Sequence, residues 1–354
     1  MNAKRPFPVS SFFCIRFIGL FQHNLLLLRI MKSAKQIQEV FESYLKSLDY
    51  SRQPDGLYAP IRYVLSLGGK RIRPTFLIMA YNMYADDIES VFSTAAGMEI
   101  FHNFTLLHDD LMDKADLRRG RVTVHKKWNE NTAILSGDGM LVLAYCYLTQ
   151  TKGDSLKRIL DIANETFTGI MEGQQYDMEF ETRDDVTEQE YIEMIRLKTS
   201  VLLAACAQMG AVLGGASDSD SKLLYGFGEK IGLAFQLQDD LLDVYGNPAV
   251  FGKKIGGDIL CNKKTFLYIN AYRLANRQQK EELDRWAEYD GDDPDSKIVG
   301  VRSIYDAVGV KPLSEKLIVS YFDEAMEKLD AVNLPAERKS VLKDYAGSLL
   351  NRVL

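Results

Sequence analysis

With 354 residues, the chain is long enough for one large domain or two ordinary ones, and it can bury a sizeable core. Its 46% hydrophobic and 26% charged residues are typical of a soluble globular protein, and its net charge of −6 argues against a general nucleic-acid binder. The cysteines are scattered without a Cys-x-x-Cys pair, which excludes a zinc ribbon and a disulfide framework and indicates reduced thiols in a cytoplasmic protein.

The first thirty residues combine a basic start with apolar patches that polar residues interrupt. No stretch reaches the roughly 18 apolar residues of a membrane span, and no small-residue cleavage site follows. Met31 opens a segment that takes up helical spacing at once. We therefore expect residues 1–30 to be a non-native or disordered extension, with Met31 as the natural start and one domain over 31–354.

From Met31 onward, apolar residues recur at three- and four-residue spacing, which is typical of helices. In chain order this spacing predicts helices over 35–48, 57–67, 74–84, 88–112, 131–150, 155–180, 188–214, 220–245, 263–287, 299–307, 313–330 and 335–353. Thr187, followed three residues later by Glu190, predicts a capping box. No alternating strand pattern with hairpin signals is present, so the sequence predicts a single all-α domain.

Two of the predicted helices carry the pattern Asp-Asp-x-x-Asp inside apolar flanks, as "LLHDDLMD" and "FQLQDDLLD". Residues four apart share a helix face, so Asp109 projects with Asp113, and Asp239 projects with Asp243. A solvated acidic face is the ordinary explanation for one such triplet, but chance places two in roughly one chain in a few hundred. Buried carboxylates need a cationic partner or a metal, and oxygen-only ligands favour Mg²⁺ over Ca²⁺.

Cationic residues gather beside glycine turns and acid clusters, as expected if the magnesium ions hold a diphosphate. The turn "LGGKRIRP" contributes Lys70 and Arg73 before a helix N-terminus, which favours anions, and it is not a Walker A loop. Arg118 and Arg119 follow the first acid cluster, and guanidinium groups suit bidentate phosphate contacts. The other candidates are Lys198 in "LKTS" and, after the second cluster, Lys253, Lys254, Lys263 and Lys264. Taken singly, each of these residues would be an ordinary solvated side chain.

In this order, the motifs "GGKRIRP", "HDDLMDKADLRRG", "LKTS", "FQLQDDLLDVYG" and "GKKIGGD" with "NKKT" resemble the trans-isoprenyl diphosphate synthases, or polyprenyl synthetases. The resemblance covers the chain from about Met31 to Leu354. It implies an all-helical bundle around a deep central cavity, and usually a homodimer. The implied reaction is the head-to-tail condensation of isopentenyl diphosphate with an allylic diphosphate.

The resemblance also implies a role for each motif residue. Three Mg²⁺ ions would be coordinated from both cavity walls, by Asp109 and Asp113 on one and by Asp239 on the other, with support, directly or through water, from Asp110, Asp240 and Asp243. The ligands of the allylic diphosphate would be Arg118, Lys198 and Lys253, with Lys263 close by. The isopentenyl diphosphate site would consist of Lys70, Arg73, His102 and Arg119. Thr199 and Gln236 would lie near the developing cation, and with Lys198 they would form the catalytic set. The pattern Gly-Lys-x-x-Gly-x-Asp favours Lys253 over Lys254.

Product length is expected to depend on the residues just before the first acid cluster. In the family, an aromatic residue five positions before it often forms the floor of the tunnel for the growing chain, and Phe104 occupies this position. The next position holds the small Thr105, where short-product farnesyl synthases of the animal type often have a second aromatic residue. These features predict a C20 product, with C15 as the alternative. The competing interpretation is that Phe104 only fills the core.

Three other functions fit the motifs less well. Terpene cyclases usually carry Asn, Ser or Thr, and Glu in their second metal motif, whereas this chain has "QDDLLD" and the co-substrate segment "GGKRIRP". Head-to-head synthases of the squalene or phytoene type space their acids differently. A non-catalytic regulatory subunit of a synthase tends to lose the acids, and this chain has both sets.

Overall fold

A computed structural model describes residues 31–247 and 255–350 of the chain. The predicted extension over residues 1–30 lies outside the described residues, and so do Lys253 and Lys254. The helices are α1 (Ala34–Ser47), α2 (Asp55–Ser66), α3 (Ile72–Asn82), α4 (Phe92–Met112), α5 (Val124–Lys127), α6 (Glu130–Leu148), α7 (Ser155–Glu181), α8 (Glu188–Ile195), α9 (Val201–Leu213), α10 (Asp218–Tyr245), α11 (Gly257–Leu260), α12 (Phe266–Leu274), α13 (Arg277–Ala287), α14 (Pro294–Val308), α15 (Val310–Asp330) and α16 (Ala336–Leu350). The predicted all-α fold is confirmed.

Two predicted helices are divided in the structure. The helix expected over 188–214 contains a π-helical turn, Arg196–Ser200, between α8 and α9. The segment expected as one helix over 263–287 forms α12 and α13, because Asn276 caps a new helix through a capping box with Gln279. The capping box predicted at Thr187 is present. Apolar spacing predicts a helix face well, but it does not reveal a local change of helix type.

A short antiparallel strand pair follows α4, with β1 (Leu117–Arg118) hydrogen-bonded to β2 (Arg121–Val122). Its turn residues Arg119 and Gly120 both have positive φ, at 52° and 72°, which is the geometry of a tight two-residue hairpin. The sequence prediction contained no hairpin, since strands of two residues show no alternating pattern. The hairpin turns the chain back immediately after the first acid cluster.

Helix α10 is shared by two hydrophobic cores. Leu224, Phe227 and Ile231 on its N-terminal half pack into a core built mainly from α1 to α9. Leu237 and Leu241 on its C-terminal half pack with α8 and the C-terminal helices. Because both halves are anchored, the second acid cluster lies on a helix that is fixed along its whole length.

Among the described residues, one helical stretch, Glu188–Leu213, is long and apolar enough to cross a membrane by composition. Of its most apolar window, 78% is buried inside the protein. The stretch is therefore accounted for as a core helix, and its apolar residues contact neighbouring helices.

A buried ion pair anchors the turn that leads into α3. Arg71, which has a left-handed backbone with φ of 49°, donates from Nη1 to Glu99 Oε1 at 2.6 Å and from Nε to Glu42 Oε2 at 3.0 Å. The side chains of Arg71 and Glu99 are only 5% and 3% exposed. Asn103 also donates to Glu99, at 3.0 Å. Arg71 therefore fixes the glycine turn against α4 and is occupied by protein carboxylates.

Replacing Glu99 by Ala is expected to lower the free energy of unfolding by about 3 kcal/mol, because Arg71 would stay buried without its main partner. Urea denaturation measures this change. The control is Asp161→Ala, which breaks the exposed Lys157–Asp161 ion pair and should change stability by no more than about 0.5 kcal/mol. A loss below about 1 kcal/mol for Glu99→Ala would show that the pair does not anchor the turn.

Candidate active site

A central cavity of about 430 Å³ opens between α4, α7, the π turn and α10. Most of the residues that the sequence predicted for the site line this one cavity, and they come from five separate parts of the chain. The predicted residues in its wall are Arg73, His102, Phe104, Thr105, Asp109, Arg118, Lys198, Thr199, Gln236 and Asp239. The fold thus brings both acid-cluster helices and the predicted cations to a common space.

On the α4 wall, Asp109 lies near two cations, but one of its carboxylate oxygens accepts no hydrogen bond. Its Oδ1 atom is buried and accepts no hydrogen bond, although Lys198 Nζ lies 3.2 Å away. Arg118 Nη2 lies 3.8 Å from its other oxygen. Asp113 lies at the exposed end of α4, where desolvation by the surrounding protein and the neighbouring Asp109 carboxylate raise its pKa to about 6. The carboxylates of this wall are therefore crowded, and Lys198 and Arg118 compensate only part of their negative charge.

Asp110, the middle acid of the first cluster, points to the hairpin. Arg118 donates to its Oδ1 atom from Nε at 2.8 Å and from Nη2 at 2.6 Å. Burial nevertheless raises the pKa of the Asp110 carboxyl. Arg118, predicted as a diphosphate ligand, is thus held by a protein carboxylate at the edge of the cavity. Two charge-assisted bonds fix its guanidinium group in that position.

The π turn carries Lys198 and Thr199 into the cavity. Lys198 Nζ donates to Asp177 Oδ2 at 2.6 Å and lies 3.2 Å from Asp109. Burial disfavours the charged amine, but Asp109 and Asp177 outweigh this effect and raise the pKa of Lys198. Lys198 is therefore a permanent cation between two helices. π turns of this kind occur frequently at functional sites.

On the α10 wall, the three acids have different surroundings. Asp239 faces the cavity. Asp240 is 4% exposed, accepts a hydrogen bond from the Tyr191 hydroxyl and another from Gln236 Nε2 at 2.9 Å, and burial raises its pKa. Asp243 accepts the backbone N–H of Asp258 at 2.9 Å, which ties α11 to α10. The wall thus presents Asp239 to the cavity, while Asp240 and one oxygen of Asp243 make internal contacts.

The amide of Gln236 is oriented from both sides. Its Oε1 atom accepts the Thr199 hydroxyl at 3.1 Å, while its Nε2 group donates to Asp240. A chain of hydrogen bonds therefore runs from the π turn to a buried carboxylate of the second acid cluster. This network fixes both uncharged polar groups predicted near the reacting carbon.

Arg73 and His102 form a partly buried hydrogen-bonded pair in the cavity wall. Arg73 Nη1 lies 3.0 Å from His102 Nε2, and since Arg has no acceptor, the histidine nitrogen accepts. Burial and then Arg73 keep the pKa of His102 well below its ordinary value, so the ring is neutral. The Nε atom of Arg73 is buried and has no hydrogen-bond partner. The pair therefore presents a cation with an unused donor.

Five predicted residues within the described ranges lie outside the cavity wall: Lys70, Asp113, Arg119, Asp243 and Lys263. Arg119 donates to the Gly68 carbonyl, and its guanidinium carbon lies 2.9 Å from where a Cβ atom on Gly69 would be. Gly69, with φ of 144°, thus leaves the space that Arg119 fills. Lys263 lies 4.0 Å from Asp177, close to the acid clusters.

The sequence reasoning missed Asp177 on α7 and Asp258 on α11. Lys263 and Lys198 outweigh the effect of burial and lower the pKa of Asp177, whereas burial raises the pKa of Asp258. Asp177 is a lone acid in "GQQYD", without the repeated spacing that marked the other clusters. The available signal was a single carboxylate four residues after a glycine on a long helix.

Without divalent ions, Asp113→Asn is expected to raise the melting temperature at pH 8 by about 1–2 °C, a small shift because Asp113 is exposed. The folded-state pKa of about 6 lies above the ordinary value of 3.8, so ionisation of Asp113 destabilises the folded protein above pH 6. The difference should shrink as the pH falls through 6 and disappear near pH 4. Thermal unfolding in EDTA measures it.

The control for this prediction is Asp344→Asn, which removes an exposed carboxylate on α16, far along the chain from either acid cluster. It should leave the melting temperature unchanged at both pH values. An equal gain for both variants would mean that overall net charge, rather than crowding at the first acid cluster, sets the effect.

Comparison with known proteins agrees with this geometry. The family model for polyprenyl synthetase matches residues 54–305. Geranylgeranyl diphosphate synthase of Methanosarcina mazei is 39% identical over 302 residues, covering 85% of this chain and 91% of that protein. Geranylfarnesyl diphosphate synthase of Natronomonas pharaonis is 37% identical over 321 residues, with the same coverage of 85% and 91%. A crystal structure of geranylgeranyl pyrophosphate synthase matches with a TM-score of 0.87 and 41% identity, covering 92% of this chain and all of that one. The chain therefore belongs to the polyprenyl synthetase family.

Proposed function

We propose that this chain is a Mg²⁺-dependent trans-prenyltransferase that condenses isopentenyl diphosphate head-to-tail with allylic diphosphates to form a short-chain isoprenyl diphosphate. The observation that carries this proposal is the shared cavity between Asp109 on α4 and Asp239 on α10, with the half-buried cation Lys198 beside Asp109. Relatives with 37–39% identity are named as synthases of geranylgeranyl and geranylfarnesyl diphosphate.

The acid clusters fit a magnesium-bound diphosphate. Asp109 Oδ1 is buried without a hydrogen bond, and crowding raises the pKa of Asp113, so both carboxyl groups would be better satisfied next to divalent cations. Within residues 31–247 and 255–350, no group of three acidic, His or Cys side chains could by itself hold a metal ion. Mg²⁺ commonly takes one or two carboxylates and completes its shell with water and phosphate oxygens. Asp109, Asp113, Asp239 and Asp243 are the proposed ligands, and the ions, three in our proposal, would act as Lewis acids toward the leaving diphosphate.

The protein's own cations supply the remaining stabilisation of the leaving group. Lys198 and Arg118 are held by carboxylates before substrate arrives, so little reorganisation is needed when negative charge develops on the allylic diphosphate. Lys263 lies close by, and Lys253 retains its predicted role as a ligand. Apolar side chains such as Leu202 and Phe235 in the cavity wall would exclude water that could capture the allylic cation.

The Arg73–His102 pair would bind isopentenyl diphosphate. A bound phosphate oxygen would give the buried Nε atom of Arg73 the partner that it lacks. Lys70 and Arg119, which flank the same glycine turn, complete the proposed site. Thr199 and Gln236 would lie beside the carbon that becomes positive, with their dipoles fixed by the hydrogen bonds to each other and to Asp240.

We propose C20 as the main product. The side chain of Phe104 is 6% exposed and lines the cavity, with the ring of His108 4.8 Å away on one side and that of Phe101 5.5 Å away on the other. Thr105 keeps the neighbouring position small. The names of the relatives point to C20 or to the longer C25.

A homodimer in the cytoplasm completes the proposal. Exposed apolar side chains lie on α6 and on the adjacent hairpin, and burying them against a second copy would remove them from water. These residues are Leu117, Val122, Ile134, Leu135 and Val142, exposed by 61%, 44%, 44%, 61% and 64%. The described cysteines are free thiols, which is in keeping with a reducing compartment.

Purified protein incubated with Mg²⁺, farnesyl diphosphate and labelled isopentenyl diphosphate is expected to form a labelled C20 diphosphate. Asp109→Asn and Asp239→Asn should each reduce kcat by at least about 100-fold, while Asp344→Asn should retain the activity. Product sizing by chromatography reads out the result. Failure to incorporate label with any allylic primer would favour a regulatory subunit, and formation of a cyclic hydrocarbon without isopentenyl diphosphate would favour a terpene cyclase.

Replacing Phe104 by Ala is expected to lengthen the main product by one or two isoprene units, because the removed ring opens the floor of the cavity. Elongation should then stop at the next aromatic layer, Phe101 stacked on Phe167 with ring centroids 3.4 Å apart. The opposite change, Thr105→Phe, should shorten the product. An unchanged product length for Phe104→Ala would mean that this ring only fills the core.

A further inference from the structure

The π turn Arg196–Ser200 is wedged between two glycines on opposite helices. On α7, Gly173 is buried, and a Cβ atom there would overlap the backbone nitrogen of Lys198 and lie 2.9 Å from the carbonyl carbon of Leu197. On α10, Gly232 is also buried, and a Cβ atom there would lie 2.6 Å from Ser200 Cα. Apart from the Ser200 hydroxyl oxygen, the obstructing atoms are backbone or Cβ atoms, which cannot rotate away as the end of a flexible side chain can.

Each glycine stands one helical turn before the residue that holds a side chain of the π turn. Four residues after Gly173 comes Asp177, which accepts Lys198 Nζ at 2.6 Å. Four residues after Gly232 comes Gln236, which accepts the Thr199 hydroxyl at 3.1 Å. Residues four apart share a helix face, so each glycine and its acceptor face the same turn. The two hydrogen bonds, of 2.6 and 3.1 Å, can form only if the π turn lies close to both helices, and the missing Cβ atoms of the glycines permit this.

The geometry points to Gly173 and Gly232 as positioning residues that set the depth of the π turn, so that Lys198 and Thr199 meet Asp177 and Gln236 in the cavity. This inference rests on the proposed function, since it assigns the glycines to the binding and activation of the allylic diphosphate. A side chain at Gly173 would push the turn away from α7 and withdraw the Lys198 amine. A side chain at Gly232 would push it away from α10 and break the contact between Thr199 and Gln236.

Other glycines on the same helices provide matched controls. Gly169 lies one turn before Gly173 on the same face of α7, and a Cβ atom there would meet only the end of the Leu197 side chain, at 3.3 Å. Gly226 on α10 would meet only the side chain of Lys328. Alanine has a higher helix propensity than glycine, so Gly169→Ala and Gly226→Ala should leave the fold intact and the activity unchanged.

The test is a double-mutant cycle between each glycine and the side chain that it positions. Gly173→Ala is expected to lower kcat/KM for farnesyl diphosphate by about 100-fold, with KM for isopentenyl diphosphate within about twofold of wild type. If Gly173 acts through Lys198, then Gly173→Ala combined with Lys198→Ala should be no more than about twofold worse than Lys198→Ala alone. Gly232→Ala combined with Thr199→Ala should show the same lack of additivity.

Losses that multiply in these double variants would overturn the inference, because they would indicate general damage and not action through Lys198 or Thr199. A Gly173→Ala protein that does not fold, while Gly169→Ala does, would also contradict it, since Gly173 would then serve packing alone. Wild-type protein that fails to turn over any allylic primer would instead refute the proposed function. The outcomes for the two proposals are thereby distinct.

Discussion

The structure depends on keeping like charges close together in a space largely removed from water. Asp109 and Asp239 line the cavity, and Asp113 lies just outside its wall, where desolvation by the surrounding protein and repulsion from Asp109 raise its pKa. Such an arrangement is unfavourable by itself and is tolerable only because cations are fixed nearby. Lys198 offsets part of the negative charge, and in our proposal magnesium ions with a bound diphosphate offset the rest. In this proposal, the repulsion among the carboxylates that destabilises the site also favours the binding of magnesium ions together with a diphosphate.

Rigid helices maintain this arrangement. The helix α10 is packed in two cores, so Asp239 cannot move without disturbing both. The turn before α3 is fixed by the ion pair between Arg71 and Glu99, which keeps one arginine of "GGKRIRP" structural and leaves Arg73 directed to the cavity. The charged groups therefore meet substrate in a preorganised geometry, which is the property that makes electrostatic stabilisation effective.

The apolar end of the cavity obeys a different constraint. A growing hydrocarbon chain needs space lined by apolar groups, and its length is limited by the first side chain that cannot move. Phe104 is held between His108 and Phe101, and behind it Phe101 stacks on Phe167. Product length in our proposal is therefore set by successive aromatic layers, whereas the chemistry at the diphosphate end is independent of them.

The sequence by itself determined the all-helical class, both acid clusters and ten of the twenty residues of the cavity wall, because apolar spacing and repeated acidic motifs are local properties of the chain. It did not reveal the π turn, the division of α12 from α13, or the hairpin, since these depend on a few hydrogen bonds that leave the apolar period almost unchanged. It also placed Arg118 at a diphosphate without its partner Asp110, and it missed Asp177 and Asp258. Asp177 is a lone carboxylate without a pattern, and its importance arises only when packing brings it to Lys198 and Lys263. Asp258 ends the motif "GKKIGGD", but the motif does not show that its backbone N–H donates to Asp243. Only the tertiary structure decided these contacts, because they join segments that are distant in the chain.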